Sequence, residues 1–241
     1  MDDRFIRTKA LIGEEGIKKL ANSKVAVFGL GGVGGHVCEA LARGGIGSFI
    51  LVDKDTISVS NINRQIIAVD DTVGRYKTDV MMERILSINS NCNVKMYNTF
   101  YLPSVSGIID EDTDYIVDAI DTISGKIQLV IDANNMSIPI MSSMGTGNKL
   151  EPTLLEVSDI YKTSVCPLAK VMRKELKTRN IEKLKVIYSK EKPRGSKLPE
   201  EKMAEEMGNK RGIVGSISFV PSVAGLIIAS EVIKDLLKGV I

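Results

Sequence analysis

The sequence predicts an α/β fold built on a doubly wound, mostly parallel sheet with helices on both faces. Three observations lead there. Short β-branched runs alternate with helical stretches across the first 150 residues. A glycine-rich turn joins the first strand to a helix, and carboxylates fall where later strands end.

The elements follow in order. Residues 4–21 read as a helical segment ahead of the first strand. The run VAVF at residues 25–28 is short, β-branched and aromatic, as a buried strand requires. Gly29, Gly31, Gly32 and Gly34 then make a turn whose bare backbone can approach a phosphate, and HVCEALARGGI opens a helix behind it. Free amides and the dipole at such a helix start attract anions. SFILVD is the next strand and ends on Asp53, nineteen residues after Gly34, where a ribose-binding carboxylate is expected. VKMYNTF, YIVDAID and PIMSSMGTG continue as strands, with helices expected around residues 34–44, 75–89 and 124–136. The pattern is Rossmann-like, and its ligand belongs beyond the strand ends that carry Gly29, Asp53 and Asp121.

After Leu150 the composition changes. One strand, a basic helix over about residues 167–178 and the strand KLKVIYS are expected, then a charged loop over 189–212. A strand, a turn and an apolar helix close the chain over 213–241. The reading is one domain over 1–241: a nucleotide-binding part to about 150, a basic, substrate-binding insertion over about 151–212, and the C-terminal strand and helix.

The net charge of +2 hides an asymmetry. Residues 161–212 carry 15 Lys and Arg against 7 Asp and Glu. Such a patch points to a polyanionic partner, or else to a solvated surface. Lys170, Arg173, Lys174 and Lys177 recur at helical spacing and would form one cationic stripe. Three scattered cysteines, Cys38, Cys92 and Cys166, fit a reducing compartment rather than a disulfide framework. The N-terminal MDDRFIRTK lacks a signal-type apolar core and no run is long enough for a transmembrane segment, so the expected location is cytoplasmic.

A glycine fingerprint alone would suit NAD or FAD. Asn61, Arg64, Gln65 and Lys77 shift the reading, because two fixed cations and two amides suit a triphosphate. The joint pattern GxGGxG, D-x-D, N-x-x-RQ and G-x-x-K resembles the ThiF/MoeB/HesA adenylyltransferases, relatives of ubiquitin-activating enzymes. The resemblance implies ATP as cosubstrate, Asp53 on the ribose with Asp55 supporting its loop, and Asn61, Arg64 and Gln65 on the phosphates. It further implies Lys77 on the outer phosphates and Asp121 as the magnesium-positioning carboxylate. Arg4 and Arg7 lie in a segment like the family's R-[FY]-x-R, which maps Arg7 onto an arginine that reaches a partner's phosphates in a homodimer. The apolar C-terminal run also leaves surface for a subunit contact. The paired CxxC motifs that hold zinc in many relatives are absent, so no zinc is expected.

K-T-S-V-C-P-L-A-K-V-M-R and GSISFVPSVAG resemble segments of the tRNA threonylcarbamoyladenosine dehydratases within that family. This branch adenylates the threonyl carboxylate of a modified tRNA adenosine. A nitrogen of the same group then closes a ring, releasing AMP. Under this reading tRNA is the partner, and Cys166, Lys170, Arg173 and Lys177 are substrate contacts. Sulfur-relay or redox proteins are further candidate partners. Two alternatives stay open: activation of a ubiquitin-like sulfur carrier, and a non-catalytic nucleotide-binding module.

Overall fold

The computed structural model describes residues 3–102, 104–105, 107–195, 197 and 214–240. Seven strands form one sheet: β1 (Lys24–Phe28), β2 (Ser48–Val52), β3 (Asn93–Tyr97), β4 (Tyr115–Asp118), β5 (Ile140–Ser143), β6 (Leu155–Asp159) and β7 (Lys185–Ser189). Their order is β3-β2-β1-β4-β5-β7-β6. Every pairing is parallel except β6 with β7, where Leu155 faces Ser189 and Asp159 faces Lys185. The segment after Leu150 therefore extends the same sheet. Strand order reverses at β1, which lies between β2 and β4. That reversal opens a crevice at the strand C-termini.

Helices cover both faces: α1 (Ile6–Ala21), α2 (Gly34–Gly44), α3 (Lys77–Ile88), α4 (Ile123–Asn135), α5 (Pro167–Lys177) and α6 (Phe219–Leu236). Successive β1 side chains point to opposite faces, as strand geometry dictates. Val25 and Val27 join one core with Val37, Leu41, Ala224, Ile228 and Val232. Ala26 and Phe28 join another with Leu129, Ala133 and Tyr101. A further cluster seats α5 through Ala169, Met172 and Leu176 against Val186 and Tyr188. The final helix spends most of its apolar residues on the core, leaving Phe219 and Leu226 exposed.

The helical segment expected over residues 4–21 is present as α1, with a kink where Gly13 takes φ 74° and ψ 179°. One expectation is corrected: the strand expected to open the 213–241 segment is absent among the described residues, where 214–217 form no strand. Its backbone instead meets Asn148, outside the sheet. Much of the expected 189–212 loop lies outside the described residues. No helix among the described residues is long and apolar enough to cross a membrane.

Asp235 ties the last helix to the sheet. It accepts hydrogen bonds from Tyr115 Oη at 2.8 Å, Lys185 Nζ at 2.9 Å and Lys238 Nζ at 2.6 Å. Burial alone would raise its carboxyl, but these donors outweigh burial and hold it at about 2, below its usual 3.8. A depressed carboxylate stabilises the fold above its unfolded value, and that contribution fades as pH falls through the folded one. Its worth is on the order of 2 kcal/mol. Acid titration of thermal stability should show Asp235→Asn less stable than wild type at pH 7, the two curves converging as pH approaches 2. Parallel curves over that range would contradict this.

Candidate active site

The crevice at the strand ends is a cleft of about 340 Å³, within the size range of small-molecule sites. It brings together Gly29, Gly31, Gly32, Asp53, Asp55, Asn61, Arg64, Gln65, Lys77 and Asp121. Residues spread over ninety positions thus converge because each follows the C-terminal end of β1, β2 or β4, or opens α3.

Backbone geometry explains the glycines. Gly29 has φ +87°, and a Cβ there would stand 2.6 Å from the Ala119 carbonyl oxygen. Gly34 is buried behind the cleft, and any Cβ would run into the Gly29 carbonyl oxygen. It packs the helix start onto the turn rather than lining the cleft. Asp53 locks this turn to the second strand. Its Oδ2 accepts the Leu30 N–H at 2.6 Å and its Oδ1 accepts the Asp55 N–H at 2.9 Å.

Both cations in the cleft are held by partners within the chain. Arg64 Nη1 donates to the Ser60 carbonyl and to Asn63 Oδ1, both at 2.9 Å. Lys77 is buried at the first position of α3, with Nζ 2.9 Å from Asp55 Oδ2 and 3.9 Å from Asp53 Oδ1. Asp55 therefore serves as the ammonium's anchor. Asn61 Oδ1 accepts the Ser58 N–H at 3.2 Å, which leaves Nδ2 as its donor for a ligand. Gln65 is 6% exposed, and its Oε1 has no hydrogen-bond partner. A buried amide oxygen left so is costly without a ligand or water beside it.

Asp118 and Asp121 divide their labour. Asp118 is fully buried, and its Oδ1 accepts Lys126 Nζ at 3.0 Å and the Ile120 N–H at 3.2 Å. Lys126, also fully buried, donates to the Ile120 carbonyl at 2.9 Å. This pair fixes the loop that carries Asp121, which is exposed in the cleft lining. The sequence reading passed over Lys126, although one lysine inside the apolar stretch ISGKIQLV was its signal. Lys54, whose ammonium lies 4.7 Å from the centroid of the Phe100 ring, was passed over as well; Lys54 and Phe100 line the cleft.

Five further residues named from the sequence lie outside this cleft lining. Arg7 is exposed on α1. Cys166, expected as a substrate contact, is 2% exposed and belongs to the core under α5, directly before Pro167 at the start of that helix. Arg173, expected on the cationic stripe, is held by a partner within the chain. It is half-buried, and Nη1 donates to the Thr163 carbonyl at 3.0 Å and also to Thr163 Oγ1. Lys170 and Lys177 remain exposed, as does Lys174 between them.

Known proteins resemble this chain in sequence and fold. The chain is 43% identical to the tRNA threonylcarbamoyladenosine dehydratase of Bacillus subtilis, over 98% of this chain and 96% of that protein. Crystal structures of the E. coli tRNA N6-threonylcarbamoyladenosine dehydratase superpose closely. Its AMP complex gives a TM-score of 0.85 at 31% identity, covering 98% of this chain and 94% of the other. Its ATP complex gives 0.83 at 32% identity over the same shares. The family model described as ThiF matches residues 3–239. Nearly the whole chain falls under that match, cleft included, and the chain belongs to the ThiF family.

Proposed function

We propose that this protein is an ATP-dependent dehydratase of threonylcarbamoyladenosine in tRNA. The observation that carries the reading is the cleft itself, where two cations, Arg64 and Lys77, stand beside the glycine turn and Asp53. Asp53 binds the ribose hydroxyls, and the glycine turn admits the phosphates against the start of α2. A carboxylate oxygen of the substrate attacks the α-phosphorus, and the bond to pyrophosphate breaks. The substrate's own nitrogen then attacks the activated carbonyl carbon, loses its proton, and AMP departs. The net change is loss of one water from the nucleoside and cleavage of ATP. Arg64 and Lys77 stabilise the charge that develops on the phosphates, and Arg64 is suited to this by its planar fork.

Magnesium fits this cleft. Asp121 offers one exposed carboxylate, and that ion takes few protein ligands beside phosphate and water oxygens. Among the described residues no group of three His, Cys, Asp or Glu is arranged to hold a metal. When bound with ATP, the ion would neutralise phosphate charge.

The active unit is a homodimer in which Arg7 reaches the partner's phosphates, in the cytoplasm where tRNA is modified. The exposed Ile6 and Leu11 on the same helix support this reading. ATP–pyrophosphate exchange tests the whole proposal: it should require tRNA carrying threonylcarbamoyladenosine. Exchange supported by a carrier protein instead would favour the sulfur-transfer branch, and no exchange with either would favour a nucleotide-binding module.

Two results separate the substrate readings. Ring closure by a group already on the substrate needs no enzyme thiol, because the nucleophile is at high effective concentration. Cys166→Ser should therefore keep most of the wild-type turnover, measured as cyclised nucleoside. Complete loss with a trapped covalent adduct would favour thioester chemistry. Reversing Lys170 and Lys177 to Glu should weaken tRNA binding and flatten its salt dependence, by roughly one unit of log–log slope for each phosphate no longer neutralised. ATP affinity should stay unchanged. Unaltered tRNA affinity would leave the α5 stripe as solvated surface.

A further inference from the structure

Two distant stretches of chain meet at Asn148. Its backbone N–H donates to the Gly215 carbonyl at 2.7 Å, and its Oδ1 accepts the Gly215 N–H at 2.7 Å. Its own carbonyl accepts the Arg194 N–H at 2.8 Å. The residue sits at φ 58°, in the left-handed region that asparagine tolerates better than most side chains. Its neighbour Gly147 has no room for a side chain, because a Cβ would run into Val214.

The contact continues into the cleft. Ser216, next after Gly215, lines it, and the Ser216 carbonyl accepts Asn63 Nδ2 at 3.0 Å. Asn63 is the residue whose Oδ1 holds Arg64. Residues 214–216 thus form a strap between the loop after β5 and the turn that carries the phosphate-binding arginine.

Strand order says which part of the reaction this strap faces. Asp53 follows β2, the glycine turn follows β1, Asp121 follows β4, and Thr146 follows β5. With the ribose on Asp53, as proposed above, the phosphates extend from the end of β2 toward β4. The strap runs from Asn148, beyond β5, back to Asn63 beside Arg64, and so borders the phosphate end of the cleft on its β5 side. That is the side left for the second substrate.

We propose that Asn148 is a positioning residue for the carboxylate substrate. By holding Gly215 and Ser216 in place it sets the wall against which that carboxylate meets the α-phosphate, and it keeps water from the same point. The proposal rests on the function given above. It differs from Arg64 and Asp53 in a measurable way, since Asn148 acts on coupling and not on ATP affinity.

The test uses the full chain with Asn148→Gly, which keeps the left-handed backbone and removes the side-chain acceptor, and Asn148→Asp, which keeps an acceptor for the Gly215 N–H. Three readouts are taken: ATP affinity by equilibrium binding, kcat and KM for modified tRNA, and AMP released per cyclised nucleoside. ATP affinity should stay within about twofold in both variants. For Asn148→Gly, kcat/KM should fall roughly tenfold to a hundredfold, the scale expected of a misplaced reacting group. Its AMP-to-product ratio should rise, as water takes the adenylate back to the free carboxylate, and Asn148→Asp should restore most of both. That ratio is independent of how much of a sample is folded.

A separate arm omits tRNA and measures slow conversion of ATP to AMP and pyrophosphate by water. Asn148→Gly should speed it. If wild type converts no tRNA but this rise appears, the substrate reading falls and the strap stands. An unchanged ratio, an unchanged kcat/KM and no rise in substrate-free AMP would overturn the role of Asn148. So would a loss confined to ATP affinity.

Discussion

Arg64→Ala should lower the adenylation rate about a thousandfold or more, the cost expected when an arginine that stabilises phosphoryl-group charge is removed. The fold should survive, because Arg64 is only half-buried and gives its hydrogen bonds to the Ser60 carbonyl and the Asn63 side chain, which solvent can replace. Asp121→Ala should also abolish adenylation, and the fold should again survive, since Asp121 is exposed and outside the core. Initial rates of pyrophosphate exchange, read beside thermal melting curves, separate the two properties. Near-normal exchange in either variant would remove these residues from the site.

The second large effect is on stability. Lys126→Met should cost about 3–5 kcal/mol, because it leaves the Asp118 carboxylate buried without its counter-charge. Asp118 Oδ2 already lacks a hydrogen-bond partner, so no spare donor is at hand to take the place of Lys126. The double variant Asp118→Leu with Lys126→Met should recover much of the loss, since a buried ion pair often exchanges for apolar packing at little cost. Urea denaturation midpoints measure both. A loss below about 1 kcal/mol in Lys126→Met would mean that water reaches Asp118 and that the pair is weaker than its burial implies. Activity should fall alongside stability, because the same lysine holds the Ile120 carbonyl beside Asp121.

The nucleotide half of the molecule was legible because its signals are local. Strands such as 25–28 and 48–52 are continuous apolar runs, and the glycines that follow the first answer steric demands visible as spacing. Those demands hold whatever the rest of the chain does. Asp53, Arg64, Lys77 and Asp121 could be assembled into one site because each sits at a predictable place relative to a parallel strand.

What the sequence does not display depends on partners far away in the chain. Whether Cys166 faces substrate or core is decided by how α5 docks on Val186 and Tyr188, and helical periodicity does not show the partner. Arg173 belongs by spacing to a cationic stripe, yet a threonine ten residues earlier captures its guanidinium. The residues before α6 have strand-like composition, but no sheet edge receives them, and they are held by Asn148, 67 positions away. Gly13 gave a visible warning within the helical pattern, since glycine is a poor helix former, but its kink is set by backbone conformation that composition does not specify.

The most direct test of the account is conversion of the nucleoside itself. The protein is incubated with ATP, magnesium and tRNA bearing threonylcarbamoyladenosine, and the nucleosides are released under mild conditions and weighed by mass spectrometry. The account predicts a product lighter by one water, formed only with ATP, accompanied by AMP and pyrophosphate, and absent with Arg64→Ala. Unchanged nucleoside mass, while the protein adenylates the C-terminus of a carrier protein, would contradict it.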